Sequence, residues 1–351
     1  ANIYYKDITW VPWRVLEDEA VLTQARSPNT GWWVVRTGTG STSLVDPNNL
    51  TQMDSNYWVG ATVFFRNLAP VYNSTNLITA FNPSTDTLTL DPALGSDVTA
   101  DVDLYYIFNK LELIDVAGEW AIEDIGGGSY RLYVWPSDSQ DPSTHMYEAT
   151  RRNGQLLTWG SKQHIIFDGL EVTGGQKVGI NDSFAFSSTA GGPVTIQNCT
   201  VHGNEYFGIR ANGTTDVVIQ NCLLFDNGYG VGTGNNSTGT VVRECEIHDN
   251  TVDGLLVTYG ATDVHIERNY IHDHYLWGHP DNCQTYEWPS DVWFDSNLLI
   301  NSGQGVMMEE TTDVHFVNNV ILGSHAYMLI IGHTNCEDVY VEGNTLAYSG
   351  Y

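Results

Sequence analysis

Between Asp216 and Asp338 the chain keeps restarting one phrase: Thr215-Asp216-Val217, Thr262-Asp263-Val264, Ser290-Asp291-Val292, Thr312-Asp313-Val314 and Glu337-Asp338-Val339. Five residues after each Val comes one small side chain. Aligning the phrases gives a column Cys199, Cys222, Cys245, Asn269, Asn297, Asn319 and Asn344, with successive spacings of 23, 23, 24, 28, 22 and 25 residues. A repeat of this length is one supersecondary unit that cannot bury its apolar face alone, so copies must stack. Units such as VTIQNCTVHGNEYFGIRANGTTD hold short alternating apolar runs (Val194, Ile196, Cys199, Val201, then Ile209) broken by Gly and Asn. That period belongs to strands and not to helices.

Strands stacked about 4.8 Å apart place each aligned residue directly above its counterpart in the previous coil. Asn carries amide donors and a carbonyl acceptor, so a buried Asn column can hydrogen-bond along the axis and leave no group unpaired. The Asp before each Val suits a tight turn. The expected fold is all-β: a parallel β-helix over residues 163–351, beginning near Gln163 with IIFDGLEVTGG and with Leu170 at the head of the column. The last residues, Ser349-Gly350-Tyr351, fall partway into a coil, so further sequence or another subunit is expected to cover the coil ends. Residues 1–115 lack the repeat and alternate in runs such as WWVVRT, WVGATVFF, NLITAF and DTLTL, which predicts a compact β-rich domain. Residues 116–162 read as a hairpin and connecting segment.

A net charge of −28, with only 14 Lys+Arg in 351 residues, excludes nucleic acid and anionic membrane as partners, because phosphate contacts need basic side chains. No apolar run approaches a membrane span. The chain starts at Ala1 without a signal-like segment, as a processed form would, and its acidic, Lys-poor, Trp-rich composition points to an extracellular or periplasmic protein. Four of the five cysteines (Cys199, Cys222, Cys245, Cys283) take inward positions of the repeat. In-register stacking fits disulfide torsions poorly, so they are expected as buried free thiols, with Cys336 exposed in a turn.

The segments LTQARSPNTGWW, YWVGATVFFRN, LIDVAGEW and RLYVWPSDSQDP, followed by IIFDGLEVTGG and the coils, resemble bacterial right-handed β-helix carbohydrate-active enzymes with an inserted β-domain, of the β-xylosidase-like glycoside hydrolase type. The resemblance implies the right-handedness of the coil and a polysaccharide or oligosaccharide partner. It also implies a catalytic Asp and Glu on consecutive coils, here Asp281 with Glu309 or Glu310. In such enzymes coils precede the inserted domain, whereas this chain starts within it.

The repeat also sorts the candidate site. A strand in each coil aligns on Ile209, Val231, Leu255, Cys283, Val306 and Leu329 as inward residues; one position later come Arg210, Gly232, Leu256, Gln284, Met307 and Ile330. Two positions before the anchor lie Tyr229, Asp253, Asp281, Gln304 and Tyr327, and four after it Glu287, Glu310 and His333. The coil from Val264 to Asp291 is the longest, and its surplus HDHYLWGHPDNCQTYEWP carries Trp277, His279, Asp281, Gln284, Tyr286, Glu287 and Trp288. Loops grafted on rigid scaffolds are where binding and catalysis concentrate.

Glycoside hydrolysis needs two carboxyl groups about 5–5.5 Å apart for retention or roughly 6.5–9.5 Å for inversion. Asp253 with Asp281, and Glu287 with Glu310, stack on adjacent coils and suit the shorter separation. Asp281 with Glu309 or Glu310 is five or six positions out of step, at least about 16 Å along a strand, unless the segment before Asp281 folds back. Against these readings, Asp253 and Asp281 can be turn residues and Glu309 and Glu310 a solvated edge. His279 and His333 would orient groups, and Gln284, Tyr286, Trp288, Trp277 and Arg210 would grip sugar. No cofactor is required, although clustered carboxylates can hold Ca²⁺. A Ca²⁺-dependent polysaccharide lyase acting on a uronate polymer and a non-catalytic glycan-binding or structural surface protein are the rival readings; few bases in the coils disfavour a metal-free lyase.

Overall fold

A computed structural model describes residues 2–37, 40–68, 71–94, 97–151, 155–175, 184–274, 280–324, 326–332 and 335–347. The chain divides into two units, Ala1–Arg151 and Arg152–Tyr351. The first is built from three sheets, the largest seven-stranded and antiparallel around a core of Trp58, Phe65, Tyr105, Leu44, Leu50, Ile78 and Leu88. Asp46 is buried in this unit, and its carboxylate accepts from the Tyr105 hydroxyl at 2.8 Å. The strands Glu119–Gly126 and Ser129–Val134 form a hairpin of this unit that pairs with Tyr4–Ile8.

The second unit is a solenoid of three parallel eight-stranded sheets. The first sheet runs from Gln155–Thr158 to Leu329–Ile331, the second from Ile165–Asp168 to Glu337–Glu342, and the third from Glu171–Thr173 to Thr345–Ala347. Its first strand thus lies ahead of Gln163. Every coil contributes one short strand to each sheet, so alternate residues point into a common core of Val, Ile, Leu, Phe and Cys side chains that no single coil could bury. Leu170, at the head of the column, is exposed rather than buried.

Near the start of the second-sheet strands one residue lies in the left-handed backbone region. Asp216, Asp263, Asp291, Asp313 and Asp338 all have φ between 52° and 55°. Asp tolerates that region because its short polar side chain bonds locally. Here the bonds go to side chains two residues on: Asp263 to His265 at 3.0 Å, Asp291 to the Trp293 ring N–H at 2.8 Å, Asp313 to His315 at 3.2 Å. Those rings then stack from coil to coil, with Trp293 3.7 Å from His315 and 6.0 Å from His265 between centroids.

Two buried amide chains run along the solenoid. In the first, the backbone N–H and Nδ2 of Asn269 both donate to Asn297 Oδ1 at 3.0 Å, Asn297 does the same to Asn319 at 2.9 Å, and Asn319 to Asn344 at 2.7 and 3.1 Å. In the second, Asn204 donates to Asn227 and Asn227 to Asn250, and the chain then passes to His274, whose Nδ1 accepts from the Asn250 N–H at 3.2 Å. The cysteines are all free; Cys199, Cys222, Cys245 and Cys283 are buried. Cys336 is half-buried rather than exposed, its thiol 3.2 Å from the Met308 carbonyl. Among the described residues no helix is long and apolar enough to cross a membrane.

Candidate functional site

The first sheet keeps the register that the repeat predicts. Ile209, Val231, Leu255, Cys283, Val306 and Leu329 pair in succession, as do Arg210, Gly232, Leu256, Gln284, Met307 and Ile330 on the opposite face. On that outer face Phe207 stacks on Tyr229 at 4.5 Å, Tyr206 meets both rings edge-on, and the Arg210 guanidinium lies 4.5 Å over Phe207. Leu256 and Tyr286 extend the patch. Gln284 Nε2 points to Met307 Sδ at 3.7 Å.

Asp253 and Asp281 come together at the beginning of this sheet, and both are hidden, at 3% and 0% exposure. The Asp281 N–H donates to Asp253 Oδ1 at 2.9 Å. Burial first, then these two carboxylates, push the Cys283 thiol well above its ordinary range, and burial with Asp253 raises the Tyr229 hydroxyl likewise. The arrangement ties one coil start to the next.

Asp281 is not brought to Glu309 or Glu310. It pairs with Gln304, and Glu309 lies five residues further on, roughly 16 Å along the strand. The fold-back that such a pair requires is absent, because Asp281 already begins the regular strand Asp281–Tyr286. Glu309 is half-buried with its N–H bonded to the Thr285 carbonyl at 2.8 Å, and Glu310 turns the corner at φ 47°.

Glu287 is half-buried, as Glu309 and Glu310 are. It lines a groove of about 460 Å³ with Asn235, Asn236, Tyr259, Gly260 and Trp288, formed where successive coils leave the first sheet. Glu287 Oε2 accepts from the Thr258 hydroxyl at 3.2 Å, and its carbonyl accepts from the Gly260 N–H at 2.9 Å. Trp288 is 60% exposed and Tyr259 45%. The Tyr286 ring lies 6.1 Å from Tyr259, and burial, with Tyr259 next, pushes its hydroxyl up to about 12. Because Thr285 pairs with Met308, Glu310 occupies on the next coil the position of Glu287.

Glu287, Trp288 and Tyr286 are thus gathered at one corner, while Arg210, Gln284, Asp253 and Asp281 lie along the sheet behind it. Trp277, His279 and His333 lie outside the described residues. Sequence reasoning overlooked Asn235 and Asn236 as groove residues; their signal was a consecutive Asn pair at the corner where the neighbouring coils carry Tyr259-Gly260 and Glu287-Trp288. Among the described residues, one group of three metal-donor side chains clusters, Glu17, Asp138 and His145, and it belongs to the first unit.

A family described as "Right handed beta helix region" matches residues 151–299. The fold is a right-handed parallel β-helix. Among solved structures a glycoside hydrolase superposes with a TM-score of 0.62 at 12% identity, over 98% of this chain and 79% of its own. XylC in complex with xylose gives 0.46 at 12% identity, over 87% and 56%, and the A-module of the mannuronan C-5 epimerase AlgE6 of Azotobacter vinelandii 0.36 at 14%, over 54% and 58%. At such identities the likeness is one of fold alone, and this chain spans little more than half the length of the last two. No curated protein matches the sequence.

Proposed function

We propose that this chain is an extracellular or periplasmic glycoside hydrolase that cleaves a neutral or mildly acidic polysaccharide or oligosaccharide at the corner groove of its β-helix. The observation that carries this reading is the pairing of a half-buried carboxylate, Glu287, with two exposed aromatic residues, Trp288 and Tyr259, in one groove. Aromatic faces stack on the C–H faces of sugar rings, and a carboxylate between them meets the glycosidic bond. The glycoside hydrolase superposition supports the scaffold for such chemistry.

Glu287 and Glu310 sit at equivalent places on consecutive coils, so their backbones are about one strand spacing, 4.8 Å, apart. That suits the 5–5.5 Å of a retaining pair better than the wider inverting gap. In this reading Glu287, oriented by the Thr258 hydroxyl, attacks the anomeric carbon as Glu310 protonates the departing oxygen. Glu310 then takes a proton from water, which releases the glycosyl group from Glu287. Tyr286 backs the groove, its ring 6.1 Å from Tyr259. The chemistry requires no cofactor.

Reducing-sugar release from a panel of neutral and acidic polysaccharides, followed alongside absorbance for unsaturated products, tests the reading. E287Q and E310Q are each expected to lower turnover at least ~100-fold with the fold intact. D253N and D281N should lower stability and leave turnover per folded molecule unchanged. Unsaturated products would make the protein a lyase, and binding of glycans without turnover would make it a glycan-binding surface; either outcome sinks the hydrolase.

A further inference from the structure

We infer that the groove selects uncharged sugar rings, clamped between Trp288 and Tyr259, and rejects uronates; the inference rests on the glycan-binding reading above and names its ligand class. Three successive coils turn this corner with two consecutive left-handed residues: Asn235-Asn236 at φ 52° and 59°, Tyr259-Gly260 at 49° and 68°, and Glu287-Trp288 at 60° and 70°. Gly and Asn adopt that region readily, whereas a bulky side chain there is a genuine outlier. Tyr259 and Trp288 are the only Tyr, Trp or Phe residues with positive φ among the described residues. Both line the same groove.

Packing does not account for Trp288. The residue is 60% exposed, and the coil before it turns the same corner with Gly260. Strain that burial does not offset is typical of sites shaped for a ligand. Two rings open to solvent supply stacking faces, and the exposed Asn235 and Asn236 amides supply donors and acceptors for hydroxyl groups. The charge of the groove then chooses among sugars. Its lining holds Glu287 and neither Lys nor Arg, so a uronate carboxylate meets like charge and finds no guanidinium or ammonium to pair with.

Calorimetric titration of the full chain carrying E310Q, which keeps ligands intact, tests this with xylohexaose, cellohexaose, laminarihexaose and hexagalacturonate. At least one neutral hexasaccharide should bind, with hexagalacturonate at least ~10-fold weaker at low salt. Y259G and W288G should each weaken the neutral ligand ~10-fold, and W288G should raise Tm by about 2 °C because Gly relaxes the backbone. Hexagalacturonate binding as well as the neutral ligands, no binding by any neutral hexasaccharide, unaltered affinity in W288G, or a lowered Tm in W288G would each overturn the inference. The hydrolase reading fails separately: neutral binding without turnover in the native chain removes hydrolysis and leaves the clamp, while turnover indifferent to W288G removes the clamp and leaves hydrolysis.

Discussion

Each coil turns one corner after the second sheet and another after the first, and the two corners follow the same backbone rule with opposite side-chain outcomes. After the second sheet, Asn198, Asn221, Glu244, Arg268, Ser296 and Asn318 all take φ between 51° and 56° or, for Ser296, 58°, and the next residue is always a buried Cys or Asn. After the first sheet the left-handed residues are Gly213, the Asn235-Asn236, Tyr259-Gly260 and Glu287-Trp288 pairs, Glu310 and Gly332, and their side chains change from coil to coil. The difference is burial. Inside, a buried N–H must find an acceptor on the next coil, so the side chain that supplies it recurs; at the open corner backbone carbonyls of the next coil accept instead, Tyr259 from Asn236 and Glu287 from Gly260, and residue identity is released.

That contrast can be broken at its strongest point by N297A. Asn297 Oδ1 accepts from two donors of Asn269, and its Nδ2 donates to the Ile266 carbonyl and to Asn319. Truncation leaves buried groups unpaired on both neighbouring coils, and a loss of about 3 kcal/mol is expected in urea unfolding. A loss below ~1 kcal/mol would mean that the column is ornamental.

A smaller effect comes from the end of the second amide chain, where His274 stands in for the Asn of preceding coils. Burial pushes its imidazole down to about 3, so the folded chain refuses a proton that the unfolded chain binds below about 6.5. Stability is therefore complete above about 6.5 and declines on acidification by up to ~1.4 kcal/mol per pH unit from this group. H274N, which keeps an acceptor for Asn250, should flatten the stability profile between pH 6.5 and 4; an unchanged slope would show that His274 is not held neutral. The smallest change is expected at the open corner, where N236G should alter stability by less than ~0.5 kcal/mol, since that exposed Asn already occupies a conformation that Gly accepts.

The regular parts of the solenoid were legible because a period of two and a fixed phrase leave no freedom in register. The column from Ile209 to Leu329 emerges from the Asp-Val alignment alone, and so does the failure of Asp281 to meet Glu309. The second amide chain escaped notice although Asn204, Asn227 and Asn250 recur at spacings of 23 residues, because Asn is abundant and no apolar phrase flags it. The corner groove was only half legible. Glu287 and Trp288 stand out as chemistry, but a Trp in left-handed backbone is imposed by the coils on either side of it and cannot be inferred from the residue. The hiding of Asp253 and Asp281 was equally invisible, because alternation assigns a face and not the depth of what covers it.

The amide chain from Asn269 to Asn344 also has a direction: each side chain donates toward the next coil and accepts from the one before. A coil's donors therefore stay unsatisfied until its successor forms, which couples neighbours and leaves distant coils independent. Under hydrogen exchange the solenoid should open in contiguous blocks, and a defect at Asn297 should mark the boundary between two of them.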